Sequence, residues 1–357
     1  MRWKTILCGL LCGTLLCGCT PAAQTAVTKS SKKLELVTTL FCYYDFARAV
    51  LQNTDTISIN LLLSPGMESH SFEPAPSDIL AIQNADIFLY NGGHMEHWVE
   101  EVLESDEQSH PERVVRCMMD FAPLLEETEL EGSELEQDHN HDHEAEEAHE
   151  EEEYEMQDTH DHKDTETCTD PSHDHSHDGE GESDIEYDEH IWTSPMIAKD
   201  LLYVVCNAIC EVDPANATIY RKNADAYAAE LKALHQDFTA YFSEPDHQTL
   251  LFADKFPLQY FANTYGLHCY AAFSGCSSDT EPSVATISHL MELAEEHHLS
   301  KVYYFEVSSP SVAEVIGEQT GAEPTVFQSC HTVTQTDFDN GETYVSLMRR
   351  NLQALQR

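Results

Sequence analysis

Two hydrophobic periods alternate along the ordered part of this chain. Leu34 to Leu40 alternates apolar and polar positions and predicts a strand, and Tyr44 to Leu51 predicts a helix. ISINLLLSP predicts a second strand, closed by Pro65-Gly66. Ser77 to Asn84 predicts a helix capped by Ser77 with Asp78 in its first turn, and ADIFLYNG a third strand ending at Asn91-Gly92. A helix from Met95 to Leu103 follows. Strands alternating with helices imply βαβ units and a parallel sheet.

From Pro195 to about Cys210 the pattern is helical. Asp213-Pro214 then combines a helix-capping residue with a proline at the first helical position, where its missing N–H costs nothing. The chain onward to Phe242 is rich in Ala, Leu, Lys and Glu and contains no further Gly or Pro. A helix of roughly 29 residues, about 43 Å long, is expected. That is longer than one small domain needs, so it reads as a strut joining two. The alternation then resumes, with strands at QTLLFAD, HCYAAF, KVYYFEV and EPTVFQS. Between and after them lie helices over Leu258–Tyr265, Val284–His298 with Ser283 as cap, Ser311–Thr320 stopped by Gly321, and Thr343–Gln356. The expectation is an α/β protein: residues 34–212 as an N-terminal domain, 213–243 as the linking helix and 244–357 as a C-terminal domain.

The first 33 residues follow another pattern. Met1-Arg2-Trp3-Lys4 precedes an apolar stretch from Ile6 to Cys17, which reads as a secretory signal too short to span a membrane comfortably. Leu16-Cys17-Gly18-Cys19 resembles a bacterial lipobox, with Cys19 as the residue to be lipidated and residues 20–33 as a flexible tether. Three of the twelve cysteines, Cys8, Cys12 and Cys17, would leave with the signal. Of the rest, Cys206 with Cys210, or Cys269 with Cys276, could form a disulfide outside the cell or serve as small buried hydrophobes.

Charge changes the picture most. The formal net charge is −47, and about thirty acidic residues fall within one tract from Glu126 to Glu189. No basic patch is available to neutralise phosphates, so nucleic acid is excluded as a partner and cations are favoured. Within that tract His139, His141, His143, His149, His160, His162, His173, His175 and His177 are interleaved with carboxylates and almost no apolar residues. Such a segment cannot offset its ordering entropy by burial, so a disordered loop over about 126–187 is expected. Neutral imidazole is the commonest protein ligand for transition metals.

The chain resembles the extracytoplasmic substrate-binding lipoproteins of bacterial zinc/manganese ABC importers, the ZnuA-like family. The matching strings are Glu68-Ser69-His70-Ser71-Phe72-Glu73-Pro74-Ala75-Pro76-Ser77-Asp78, Ala85-Asp86 through Asn91-Gly92 with Glu96 and Trp98, and DEHIWTSP from Asp188. Tyr260-Phe261, Tyr265-Gly266-Leu267 and GETYVSLMRRNL from Gly341 complete them. The resemblance implies two similar parallel-sheet α/β domains bridged by one long rigid helix, with a metal cleft between them, and no enzymatic activity. It also implies zinc or manganese as cargo, a membrane permease as partner, a lipid anchor in the bacterial cell membrane and a monomeric state. No HExxH or HxxEH motif suggests a metalloenzyme instead.

The same resemblance makes His70 and His190 metal ligands of the first domain, with Asp188 and Glu189 as carboxylates that could orient the second ring nitrogen of His190. The second domain departs from the family. Lys255, preceded by Asp254, stands where a histidine is usual, and Gln328-Ser329-Cys330-His331 replaces a D-P-L-type acidic turn. His331 is the obvious replacement ligand. Cys330, Glu306 at the carboxyl end of its strand, and Asp254 are further candidates. His94 and His97 read as a secondary site or as exposed helix residues. Nine loop imidazoles favour Zn²⁺ over Mn²⁺, which prefers oxygen. The function expected is therefore a high-affinity zinc receptor with a low-affinity capturing or sensing loop. A surface adhesin, an extracellular metal buffer and a manganese receptor remain as alternatives.

Overall fold

Strand runs such as LLF and IFLY, apolar at every position, require cover on both faces of a sheet. In the computed structural model, which describes residues 33–106, 110, 112–128, 130, 186–275 and 281–357, they receive it. The first four strands are β1 (Leu34–Thr38), β2 (Ile57–Leu61), β3 (Ile87–Tyr90) and β4 (Val114–Cys117). They form a parallel sheet in the order β2-β1-β3-β4. The last four are β5 (Thr249–Phe252), β6 (His268–Ala271), β7 (Lys301–Phe305) and β8 (Glu323–Phe327), parallel in the order β6-β5-β7-β8. The histidine-rich segment, the signal and lipobox with Cys19, and the tether lie outside the described residues. Among the described residues no helix is long and apolar enough to cross a membrane.

Side-chain alternation along each strand sorts the core into layers. Val37 and Phe88 face an outer cluster with Ile82, Val99 and Val102, which come from α2 (Pro76–Asn84) and α3 (Trp98–Asp106). Leu251 and Val302 do the same in the second lobe, against α7 (Val284–Glu296) and α8 (Ser311–Thr320). Their strand neighbours Leu36, Ile87, Leu89, Leu250, Phe252 and Phe305 turn inward to one continuous core shared by both lobes. This core is packed by α1 (Phe41–Val50), α4 (Pro195–Val212), α5 (Ala217–Phe242), α6 (Gln259–Tyr265) and α10 (Tyr344–Gln356).

The long helix is α5, with 26 residues, or about 39 Å at 1.5 Å per residue. Pro214 opens a 3₁₀ turn rather than the α-helix itself. Asp213 caps nothing directly: its carboxylate instead accepts from Thr56, Asn216 and Tyr220 hydroxyl or amide groups at 2.7–2.9 Å. Tyr220, Ala224, Tyr227, Leu231, Leu234, Phe238 and Phe242 form the buried stripe, at the three-to-four spacing of one helix face. The Tyr227 hydroxyl donates to buried Asp45 of α1. Phe238 and Phe242 stack against Phe261 and Tyr265 of α6. The helix thus packs on both lobes.

Some local expectations differ from the structure. Helix α2 starts one residue earlier than expected, because Pro76 takes its first position and the Asp78 carboxylate accepts from the Ala75 N–H at 2.9 Å. Ser283 caps α7 as expected, accepting from Thr286 N–H at 3.0 Å, and Gly321 ends α8 with φ +83°. The strand β4 and the short helix α9 (Gln335–Asp339) had no counterpart in the sequence reading. Cys206 and Cys210 are free thiols, buried in the core, and Cys269 is also free.

Candidate metal centre

Parallel sheets present functional side chains on the loops leaving the carboxyl ends of their strands, and both lobes do so here. The loop after β2 turns at Pro65-Gly66, where φ of +85° needs glycine, and carries Glu68 and His70. Its Gly66 N–H donates to Val333 O of the second lobe at 2.8 Å. His190 follows the histidine-rich insertion. The two ends of that insertion are pinched together: Glu127 N–H donates to Glu186 O and Asp188 N–H to Leu125 O, both at 2.9 Å. Tyr260 of α6 holds the pinch against the second lobe, accepting from Leu125 N–H and donating to Asp188 O, both at 3.0 Å.

His70 and His190 meet on the first lobe's side of the cleft, Nε2 to Nε2, at 3.4 Å. Two nitrogens each 2.0–2.1 Å from one tetrahedral ion would lie about 3.3–3.4 Å apart. The other ring nitrogen of His190 faces Asp188 Oδ1 at 3.2 Å, and the same oxygen accepts the His190 N–H at 2.7 Å. A carboxylate there keeps the proton on Nδ1 and turns the Nε2 lone pair outward. Glu189 takes a different task, accepting from the backbone N–H groups of His94 and Met95. The His190 ring also packs edge-on against Trp192, 5.4 Å between centroids, so core packing and an outward Nε2 coexist in one side chain.

His331 arrives from the second lobe by similar logic. Its Nδ1 lies 2.6 Å from Ser329 Oγ, which in turn donates to Glu306 Oε1 at 2.7 Å. A hydroxyl has one proton to give. Having given it to Glu306, Ser329 must accept from His331 Nδ1–H, which leaves the Nε2 lone pair available. That Nε2 is buried and has no hydrogen-bond partner; the nearest acidic atom is Glu68 Oε1 at 3.9 Å. Trp192 separates the His190 and His331 rings and donates Nε1–H to Ser329 O at 2.9 Å. The fully buried indole is the floor on which the two lobes' ligands stand.

Burial holds two of the imidazoles deprotonated. His70 is pushed down to about 3 by burial, with the His190 charge adding to the effect and Glu68 opposing it. His331 is pushed down to about 4 by burial, again opposed by Glu68. For Glu68, burial acts upward, but the neighbouring His331 and His70 outweigh it and hold the carboxyl below its ordinary value. The result is neutral nitrogen donors beside one anion, the protonation state that a metal requires.

The remaining sequence candidates are placed differently. Glu306 does end β7, but its carboxylate turns into the β8 loop, accepting from Ser329 N–H at 2.9 Å, Ser329 Oγ and Cys330 N–H at 3.3 Å. Burial pushes it up to about 7 against those bonds. It positions the His331 loop and is not aimed at the cleft. Asp254 accepts from Lys255 N–H at 2.8 Å and Phe305 N–H at 3.1 Å, tying β5 to β7. The Cys330 side chain packs in the core, and burial raises its thiol well above the ordinary value. His94 and His97 stack on each other, 5.7 Å apart, and do not line the cleft cavity. Glu68, in the string Glu68-Ser69-His70, carries no role in the sequence alone. Its position two residues before His70, on the same loop, was the signal available.

Among the described residues no three His, Cys, Asp or Glu side chains are already gathered tightly enough to hold an ion. The His70–His190 pair is at ligand spacing, while His331 and Glu68 stand off across the cavity that they line together with Lys255 and Asp254.

The family model for ZnuA, the periplasmic component A of a zinc-uptake complex, matches residues 36–357. The chain belongs to the ZnuA family. It is 28% identical over 357 residues to the high-affinity zinc uptake system protein ZnuA of Bacillus subtilis, covering 99% of this chain and 97% of that one. It is also 28% identical to the zinc-binding lipoprotein AdcA of Streptococcus pneumoniae, of which it spans 61%. In three dimensions it is similar to the metal-dependent lipoprotein YcdH from Bacillus subtilis, with TM-score 0.66 and 25% identity over 91% of this chain and 98% of that one. The Zn(II)-bound ZnuA-like domain of S. pneumoniae AdcA is similar too, with TM-score 0.65, 25% identity and the same coverage. The expected architecture, two parallel-sheet α/β domains of the ZnuA type, is therefore the observed one.

Proposed function

We propose that this protein is the extracytoplasmic zinc receptor of an ABC importer. Zn²⁺ as cargo would be held by His70, His190 and His331, with Glu68 as the carboxylate donor. The observation that carries this reading is the 3.4 Å separation of His70 Nε2 and His190 Nε2, the edge of a zinc tetrahedron, with a third buried and unpartnered imidazole nitrogen across the cleft. Because His331 and Glu68 stand off, binding would draw the two lobes' loops together around the ion. Three nitrogen donors and one oxygen favour Zn²⁺ over Mn²⁺. The relatives' zinc uptake and zinc binding support the same assignment.

The sequence extends this reading. Cys19 would carry the lipid anchor at the bacterial cell membrane, and residues 34–212 and 244–357 would be the two domains, linked through 213–243. His139, His141, His143, His160, His162, His173, His175 and His177 would capture zinc weakly, and their tethering to the chain would give a high effective concentration. Release to a membrane permease would then complete delivery. Isothermal titration of the purified protein with Zn²⁺ tests the proposal: one tight site and several weak ones are expected. A double variant, His70→Ala with His190→Ala, should lose the tight site alone, and its persistence would overturn the ligand assignment.

A further inference from the structure

The cleft beside the three histidines is far larger than a bare ion needs. It encloses about 480 Å³, whereas a water-sized occupant takes on the order of 30 Å³. Sites for small organic ligands span roughly 300–1,000 Å³. Its walls also carry two chemistries. Glu68, His70 and His331 occupy one end, while Phe273, Ile287 and Val312 of the second lobe form an apolar surface. A hydrated cation gains nothing from such a wall.

Lys255 sharpens the mismatch. Half-buried, it lines the same cavity, and among the described residues no carboxylate stands within ion-pair distance of its ammonium. The Asp254 carboxylate next to it is engaged by the N–H groups of Lys255 and Phe305. The Lys255 charge repels a naked dication, in opposition to Glu68 and Glu281, which line the same cavity. An anion held between the ammonium and the metal would be attracted to both.

We infer, building on the zinc-receptor reading above, that the cleft takes zinc as a complex with a small organic chelator that bears a carboxylate and an apolar body. The three imidazoles keep the metal. Two donors of the chelator take the position where Glu68 would bind bare zinc and one beside it, giving a five-coordinate ion, a number to which zinc can expand. Lys255 pairs with the chelator's carboxylate, and the body lies against Phe273, Ile287 and Val312. Glu68, whose side chain is 38% exposed, has room to turn aside.

The test uses the full chain and three probes: zinc alone, zinc with excess picolinate, and zinc with excess imidazole, which lacks a carboxylate. Native mass spectrometry should show a 1:1:1 protein–zinc–picolinate species and none with imidazole. At equal free zinc, picolinate should raise the apparent affinity at least tenfold. Lys255→Met should abolish that gain while tightening bare zinc, and Lys255→Arg should retain it. A binary zinc complex alone, with picolinate only sequestering the metal, would overturn the inference and leave the receptor reading intact. Failure of the zinc-alone arm would instead bring down the receptor reading itself.

Discussion

The two lobes share one sheet topology and differ in what the ends of their strands offer a metal. Each has four parallel strands in equivalent order, with the first strand of the lobe inside the sheet and the second at its edge. In the first lobe the loop after β2 and the segment after the insertion supply His70 and His190, already at ligand spacing. In the second, Lys255 stands after β5, and Glu306 after β7 turns into the neighbouring loop. Among the described residues of that lobe, His331, after β8, is the one that faces the cleft with a nitrogen lacking a hydrogen-bond partner. The first lobe is a preformed half-site. The second offers a single donor backed by a hydrogen-bond chain through Ser329 to Glu306, with a cation beside it. Equivalent folds thus carry unequal chemistry, because strand-end loops vary without disturbing the layers beneath them.

Breaking the preformed half should cost most. His190→Ala should weaken tight zinc binding on the order of 1,000-fold, or about 4 kcal/mol, as read by competition with a zinc-chelating dye. Its partner carboxylate acts at one remove, and Asp188→Asn should cost roughly 10–100-fold. On the second lobe, Ser329→Ala cuts the chain that orients His331 and should cost about tenfold. If Ser329→Ala proved as damaging as His190→Ala, the two half-sites would not be unequal. Deleting residues 131–185 should change the tight affinity by less than about threefold while removing the weak equivalents, and a tight site lost with the segment would move the site out of the cleft.

Acid sharpens the contrast between the cleft imidazoles and those of the histidine-rich segment. His70 and His331 are held near 3 and 4 by burial, below the roughly 6.5 of an unperturbed histidine. Their folded pKa values lie below the unfolded ones, so the unfolded chain binds more protons across that interval. Their contribution to stability is therefore full above about pH 6.5 and is lost as pH falls toward 4 and then 3. Metal binding follows the same order. Zinc stoichiometry should drop from several equivalents at pH 7.5 to one near pH 5, where ordinary imidazoles are protonated. A coincident loss of all equivalents near pH 6.5 would mean that the cleft histidines are not shielded.

Much of the fold was legible in order. Seven of the eight strands followed from short apolar runs bounded by Gly, Pro or polar residues, and the long helix from a stretch without breakers. Strand β4 escaped because VVRC spans four residues and includes an arginine, so no period can establish itself. The long helix also begins later than Pro214 suggested, since Asp213 is drawn to Thr56 and Tyr220 from elsewhere in the fold. His70 and His190 were legible from the strings around them. Glu68 stands two residues before His70, but nothing local distinguishes its carboxylate from Asp254 or Glu306 as the one that faces the cleft.

By itself, then, the sequence determined the layers, the strut and the residue types at the cleft, because hydrophobic period and loop chemistry are local properties. Tertiary structure decided which carboxylates were available. Glu306, Asp254 and Asp188 are alike on paper. Their roles diverged because buried backbone N–H groups, and one imidazole N–H, had to be satisfied. Glu306 went to the Ser329 loop, Asp254 to the β5–β7 junction and Asp188 to His190. Glu68 stayed beside the loop's own His70, and only the path of the chain through space brought His331 of the second lobe to 3.9 Å from it.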